Sequence, residues 1–337
     1  MMKAIRYHQT GGPEVLKIEE VPDPVAGPGE VVVRVRAAAL NRLDIFLRSG
    51  ASSMPGFRMP HTGGFDMAGE VHQVGDGVSD WKPGQAVVVD ARVTGPQARG
   101  KLDILGITRP GGFAEKVLVP AHCLRPKPEQ YSFEEAAAFG CVYLTAYRGL
   151  AEYAAVRPGE VILVHAGGSG AGTAAIQTAK AMGATVIATM GSDEKCVRAK
   201  ELLHCDFPVN YNRQNFADVV REVTGGRGVN VIFDPVWGDS AAQSLDTLAL
   251  GGRWIVIGMV GGLDAKLRIS NLLFREVRIQ GVVEFYAEKE QIDKTWAMAH
   301  RGVVRPIIAQ ARPLDQLAEA HRQMERGDFF GKLVVTV

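Results

Sequence analysis

The stretch Val161-Ile162-Leu163-Val164-His165-Ala166-Gly167-Gly168-Ser169-Gly170-Ala171-Gly172-Thr173 constrains the fold more than any other part of the chain. Its apolar, largely β-branched start reads as a buried strand and its glycines as a tight turn. The following Ala174-Ala175-Ile176-Gln177-Thr178-Ala179-Lys180 reads as a helix opening directly from that turn. Such a strand, loop and helix lets backbone N–H groups approach a pyrophosphate, which then sits on the partial positive charge of the helix N-terminus. The spacing is Gly167-x-Ser169-x-x-Gly172, with a serine where the middle glycine of the usual fingerprint stands. Glycine loops also serve ordinary strand-to-helix turns, so the reading depends on whether the surroundings repeat the unit.

They do. From 161 onward, apolar segments at 161–165, 185–189, 229–234, 253–257 and 277–283, with a weaker one at 206–209, alternate with amphipathic helical segments. That alternation predicts right-handed crossovers and a parallel, doubly wound α/β sheet. The first 124 residues differ: short strands at 3–7, 15–20, 31–39, 69–74, 86–90 and 113–119 are broken by Gly and Pro turns, with one short helix near 43–49. Around Pro126 the texture changes, and Ser132 with Glu135 forms a capping box ahead of two helical segments. Helices at 289–300 and 314–326 and a strand at 332–337 close the chain and are expected to return to the first domain. At 337 residues two domains are expected. Their expected extents are 1–124 with 285–337, and 125–284.

Lys plus Arg total 38 against 37 Asp plus Glu, a formal net charge of +1, so no basic footprint for nucleic acid is present. The cysteines at 123, 141, 196 and 205 form neither a C-x-x-C nor a regular framework, which points to a reducing compartment. The N-terminus lacks an apolar leader core, and no segment approaches the roughly 20 apolar residues of a membrane span. A cytoplasmic enzyme acting on a small molecule, without nucleic acid or membrane partners, is the expectation.

Ordered motifs extend this reading. They include Gly11-Gly12-Pro13-Glu14-Val15-Leu16, Asn41-x-x-Asp44 with Arg48-x-Gly50, Gly69-Glu70-Val71-x-x-Val74-Gly75, Lys82-Pro83-Gly84 and Gly111-Gly112-Phe113-Ala114-Glu115. Leu144-Thr145-Ala146-Tyr147, the glycine loop, Asp193-Glu194-Lys195, Asn210-Tyr211 and Gly331-Lys332-Leu333-Val334 follow. In this order they resemble a medium-chain dehydrogenase/reductase of the zinc-free, quinone oxidoreductase-like branch. The resemblance implies a GroES-like β-rich catalytic domain and a Rossmann NADP(H)-binding domain, with the catalytic cleft between them. In zinc-dependent relatives a Cys stands at Asn41, a Gly-His-Glu at Gly64-Phe65-Asp66, and a Cys or Asp at Cys141. Here one thiol remains, and the segment 91–109, where those relatives carry four cysteines, has none. Zinc needs several such ligands, so neither metal is expected.

A carboxylate at the end of the second strand would select NAD by binding the ribose hydroxyls. That strand ends at Met190, and Gly191, Ser192 and Lys195 follow. A small residue, a hydroxyl and a cation suit a 2′-phosphate, so NADPH is expected, although Asp193 and Glu194 stand close by as carboxylates that also suit a helix start. The resemblance adds Tyr211 and Lys332 to a cofactor set that holds Gly167, Ser169, Gly170, Ala171 and Gly172. It places Asn41, Asp44, Tyr143 and Thr145 at the reacting centre, and Phe46, His61, Phe65 and Cys141 are expected to line the substrate pocket. Relatives often carry tyrosines where this chain has Phe46 and Ser52. Metal-free hydride transfer from NADPH to a quinone or another activated, α,β-unsaturated carbonyl is the favoured activity. An enoyl-thioester reductase and a non-catalytic NADPH-binding protein are the alternatives. The segment 277–283 is expected to be the last strand of its sheet and, as an uncovered edge, to pair with a second copy in a homodimer.

Overall fold

A computed structural model describes residues 1–95 and 102–337 of the chain. These fall into two compact units, Met1–Cys141 with Arg305–Val337, and Val142–Val304. In the first unit the chain runs through β1 (Met2–Arg6), β2 (Lys17–Val21) and β3 (Glu30–Ala39) into α1 (Arg42–Ser49). It continues through β4 (Asp66–Val74), β5 (Ala86–Val89), β6 (Lys116–Pro120) and β7 (Leu124–Pro126) to α2 (Phe133–Ala137), and α3 (Gly140–Tyr147) begins in the first unit and runs into the second. Val31, Val32 and Val33 are fully buried because β3 is paired on both sides. Asn41 opens α1, where Asp44 accepts its backbone N–H at 2.8 Å, and Gly50 ends the helix at φ 82°, a left-handed conformation that glycine adopts without strain. Ser132 caps α2, its Oγ accepting the Glu135 N–H, so the capping box read from the sequence is present.

The second unit is a six-stranded parallel sheet. Its elements are β8 (Val161–Val164), α4 (Gly170–Ala181), β9 (Thr185–Met190), α5 (Asp193–Leu203), β10 (Phe207–Asn210) and α6 (Phe216–Val223). They continue as β11 (Val229–Asp234), α7 (Ala241–Asp246), β12 (Leu248–Val256), α8 (Ile269–Phe274), β13 (Arg278–Gly281) and α9 (Lys289–His300). The strand order is β10-β9-β8-β11-β12-β13. The order reverses at β8, where a doubly wound sheet opens its ligand crevice at the carboxyl ends of the strands. The glycine loop leaves β8 there.

The chain then rejoins the first unit as β14 (Ile308–Pro313), α10 (Leu317–Arg326) and β15 (Lys332–Thr336). The first unit's larger sheet has the order β14-β15-β3-β4-β5-β7, with β6 paired to β3. Three details differ from the sequence expectation. The units divide later than 124/125 and 284/285, because β7 pairs with β5 and keeps the following segment with the first unit. Helix α9 stays in the second unit, where Gln291 accepts from the Arg148 guanidinium at 2.9 Å and Trp296 is buried. Strand β14 was not anticipated, since Ile-Ala-Gln-Ala-Arg-Pro lacks both alternation and a β-branched run.

Candidate active site

Three neighbouring strand ends meet in the first unit. Asn41 follows β3, Asp66 begins β4 opposite Ala39, and Lys332 begins β15, whose Leu333 carbonyl accepts the Leu40 N–H. Their side chains are buried and joined. Lys332 Nζ donates to Asn41 Oδ1 at 2.7 Å and to Asp66 Oδ2 at 3.2 Å, and Asn41 Nδ2 donates to the same Asp66 oxygen at 2.9 Å. The other Asp66 oxygen accepts the Cys141 N–H at 3.0 Å. An ammonium can only donate and a carboxylate oxygen can only accept, so the two flank the Asn41 amide in a single orientation. One amide N–H is left over. Lys332, expected among the cofactor residues, is thus committed to Asn41 and Asp66.

Asp44 sits one helical turn past Asn41, nearly inaccessible, with its second oxygen accepting the Gly64 N–H at 3.2 Å. Burial pushes its carboxyl up to about 7, against the two backbone N–H bonds and the Lys332 charge, which favour the ionised form. His61 is buried beside it, with Nε2 on the Gly106 carbonyl at 3.0 Å, and burial holds its imidazole down at about 4. Phe65 is buried directly before β4, whereas Phe46 and Cys141 are half-buried.

In the second unit the glycine loop is shaped by contact. A Cβ on Gly172 would lie 2.2 Å from the Ala166 carbonyl oxygen, and one on Gly167 would lie 2.8 Å from Met190 Cε. Ser169 caps α4, its Oγ accepting the Gly172 N–H at 3.0 Å. At the carboxyl ends of β9 and β10, Gly191, Ser192, Lys195 and Tyr211 come together. The Tyr211 N–H bonds the Met190 carbonyl, the Tyr211 hydroxyl lies 2.8 Å from where a Gly191 Cβ would stand, and Ser192 caps the α5 turn that carries Lys195. Asp193 is turned aside: its carboxylate accepts from Asn210 Nδ2 at 2.6 Å and pairs with Arg213 at 2.7 Å. The sequence reading overlooked Arg213 and Asn212, whose Nδ2 donates to the Gly191 carbonyl. Their position directly after Asn210-Tyr211 was the available signal.

Tyr143 and Thr145 also lie in the second unit. The Tyr143 hydroxyl accepts from Gln177 of α4 at 2.8 Å, and Thr145 Oγ1 donates to Glu284, just past β13, at 3.4 Å. His165, at the end of β8, bonds Thr189 and Ser244, which makes it a satisfied core histidine.

The donor set does not suit zinc. At the matched positions stand an amide already bonded on both its atoms, a phenyl ring and one thiol. Among the described residues no group of three His, Cys, Asp or Glu is placed to hold a metal ion. Residues 96–101 of the segment 91–109 lie outside the described residues. The remainder of that segment is tied by Asp103, which accepts from Arg109 at 2.9 Å and from Thr108 at 2.8 Å.

Residues 27–129 match the family described as "Alcohol dehydrogenase GroES-like domain", and residues 170–301 match "Zinc-binding dehydrogenase". The quinone oxidoreductase of Homo sapiens is 31% identical over 342 aligned positions, covering 99% of this chain and 98% of that protein. Among solved structures, an NAD-dependent alcohol dehydrogenase superposes with a TM-score of 0.93 at 37% identity, with all of both chains covered. The Escherichia coli quinone oxidoreductase complexed with NADPH has a TM-score of 0.86 at 27% identity, covering 99% of this chain and all of that one.

Proposed function

The chain belongs to the medium-chain dehydrogenase/reductases, in their quinone oxidoreductase-like group, and from that premise we propose that it is an NADPH-dependent reductase of quinones or other α,β-unsaturated carbonyls that works without a metal. The oxidoreductase class and pyridine-nucleotide binding follow from the family; the finer assignments are the reading argued below.

The observation that carries it is the end of β9. Gly191, Ser192, Lys195 and Tyr211 form a corner with a small residue, a hydroxyl and a cation, while the neighbouring Asp193 is held by Asn210 and Arg213. A 2′-phosphate suits that corner better than a free ribose hydroxyl does, because charge-assisted bonds to phosphate are strong and the Asp193 carboxylate is already paired. The E. coli quinone oxidoreductase that carries NADPH adds support, and the similarity to an NAD-dependent alcohol dehydrogenase makes NADH the comparison that matters. The loop 167–172 would receive the pyrophosphate on α4.

When bound, the nicotinamide supplies the hydride. The protein's own contribution is positioning and polarity. Asn41, with its amide fixed by Lys332 and Asp66, has one N–H left to donate to an acceptor oxygen, where negative charge develops. Tyr143, held through its hydroxyl by Gln177, and Thr145 order the corresponding part of the second unit. Phe46 and Phe65 give the acceptor apolar surroundings suited to a flat, conjugated ring. Subunits pair through β13 in a homodimer.

The test follows NADPH absorbance with the purified, chelator-dialysed protein against a panel of quinones, an enoyl-CoA and simple aldehydes. Turnover of quinones but not of the thioester supports the reading. Turnover confined to the thioester would replace it with the enoyl-thioester alternative, and tight NADPH binding with no turnover would leave a nucleotide-binding protein.

A further inference from the structure

The first unit encloses a cavity of about 10 Å³ whose lining includes Tyr7, Asp44, His61, Phe113 and His321. That volume is on the scale of one water molecule. His321, on α10, is 1% exposed, and neither of its ring nitrogens has a hydrogen-bond partner. A neutral imidazole carries one N–H donor and one bare, accepting nitrogen, and burying both unmet is unfavourable. Burial, reinforced by the Arg48 guanidinium, holds the His321 ring down at about 3, so it is neutral wherever the protein is folded near neutrality. Asp44, on the same cavity, has an oxygen on each of two backbone N–H groups, so its carboxyl proton, when present, needs an acceptor on a remaining face.

We propose that this cavity binds a single water molecule, and that His321 acts through this water as a positioning residue for Asp44 and hence for the Asn41 backbone that Asp44 holds. In both charge states the water meets one carboxyl oxygen of Asp44 and one ring nitrogen of His321. With Asp44 protonated, the water accepts its O–H and donates to the bare ring nitrogen of His321. With Asp44 ionised, the water donates to the carboxylate and accepts an imidazole N–H. Asp44 has then lost one proton to solvent, while the single imidazole proton stands on the nitrogen that faces the water instead of the one that faces away. In this arrangement the tautomer of His321 follows the charge of Asp44.

The other titratable groups around the cavity do not compete for this role. Burial pushes the Tyr7 hydroxyl up and holds His61 down, so both stay neutral, and His61 Nε2 is taken by Gly106. Arg48 of α1 is paired with Glu325 of α10, and Lys332 with Asp66.

The test uses the full chain, labelled with ¹⁵N in the histidine rings and ¹³C in the aspartate carboxyls, followed by NMR across the neutral pH range. The Asp44 signal is identified by its loss in Asp44→Asn. The two ring nitrogens of His321 should exchange protonated and bare character at the Asp44 midpoint, and the ring N–H should transfer magnetisation to a long-lived water. In Asp44→Asn the exchange of tautomers should vanish. Ring signals that stay flat through the Asp44 titration, or show no water contact, overturn the proposal. His321→Phe fills the cavity with a ring that neither donates nor accepts, so the Asp44 midpoint should rise by about one pH unit as the carboxylate loses its water. His321→Gln should hold it near the wild-type value, and an unmoved midpoint in His321→Phe contradicts the proposal. Only the consequence for catalysis rests on the reductase reading. These readouts need no turnover, so a protein that shows the coupling but reduces no quinone fails that reading and not this one.

Discussion

Lys332 bonds to Asn41 across 291 residues of sequence and to Asp66 across 266. Nothing local announces such a contact, which is why the terminal Gly331-Lys332 motif suggested a cofactor contact while the side chain is spent on the first unit's own polar cluster. Removing one partner of a buried pair leaves the other charge uncompensated. Lys332→Met is expected to lower the unfolding free energy by about 3–5 kcal/mol in urea titrations. Adding Asp66→Asn should recover part of that loss, and a purely additive double variant would contradict the coupling. Lys195, by contrast, is placed by counting from the glycine loop to the next strand end, and it does lie in the first turn of α5 there. Lys195→Ala should weaken NADPH about tenfold in fluorescence titrations and leave NADH unchanged, as expected for one charge-assisted bond to phosphate. His321 gives a pH signature. Its pKa is depressed on folding, so the folded state binds fewer protons than the unfolded chain between the ordinary imidazole value and about 3. This contribution is complete above about pH 6.5 and is lost as the pH falls. Wild-type protein should accordingly lose stability relative to His321→Phe when unfolding is compared at neutral pH and near pH 5.

At the level of elements, the strand, loop and helix at 161–181 were readable because each part has its own signal: a β-branched run, glycines, then an alanine-rich segment. The structure adds the reason for the last glycine, whose Cβ would meet the Ala166 carbonyl oxygen at 2.2 Å. Gly172→Ala should therefore abolish measurable nucleotide binding. Ser169 has a defined duty as the cap of α4, and Ser169→Ala should cost about 1 kcal/mol in stability while Ser169→Gly costs only a few tenths. Calorimetry on the two variants separates this from a direct contribution to the pyrophosphate. Boundaries were harder to read than element types. Strand β12 starts at Leu248, several residues before the apolar run of Arg253 onward, because its Leu-Ala-Leu-Gly-Gly opening lacks strand character on its own. The place of α9 goes with contacts such as the bond from Arg148 to Gln291 and the burial of Trp296, which no periodicity encodes.

For the whole molecule, the sheet order leaves β13 as an edge, and the helix that leads into it, α8, exposes Ile269, Leu273 and Phe274 at 70%, 63% and 79%. An apolar helix face leading into an edge strand is a surface expected to be covered. This supports the homodimer, and light scattering should give twice the monomer mass. Leu273→Glu combined with Phe274→Glu should shift the protein to monomers without loss of NADPH binding, and an unchanged dimer would place the interface elsewhere. The central claim is that the corner at the end of β9 makes this family member an NADPH enzyme whose chemistry needs no metal. Initial rates of 1,4-benzoquinone reduction by the chelator-dialysed protein, with NADPH and NADH in parallel, test it most directly. The account predicts kcat/KM for NADPH at least about tenfold above that for NADH, equivalent to about 1.4 kcal/mol of discrimination, with no gain on adding zinc. Equal or faster turnover with NADH, or activity that appears only when zinc is restored, would contradict it.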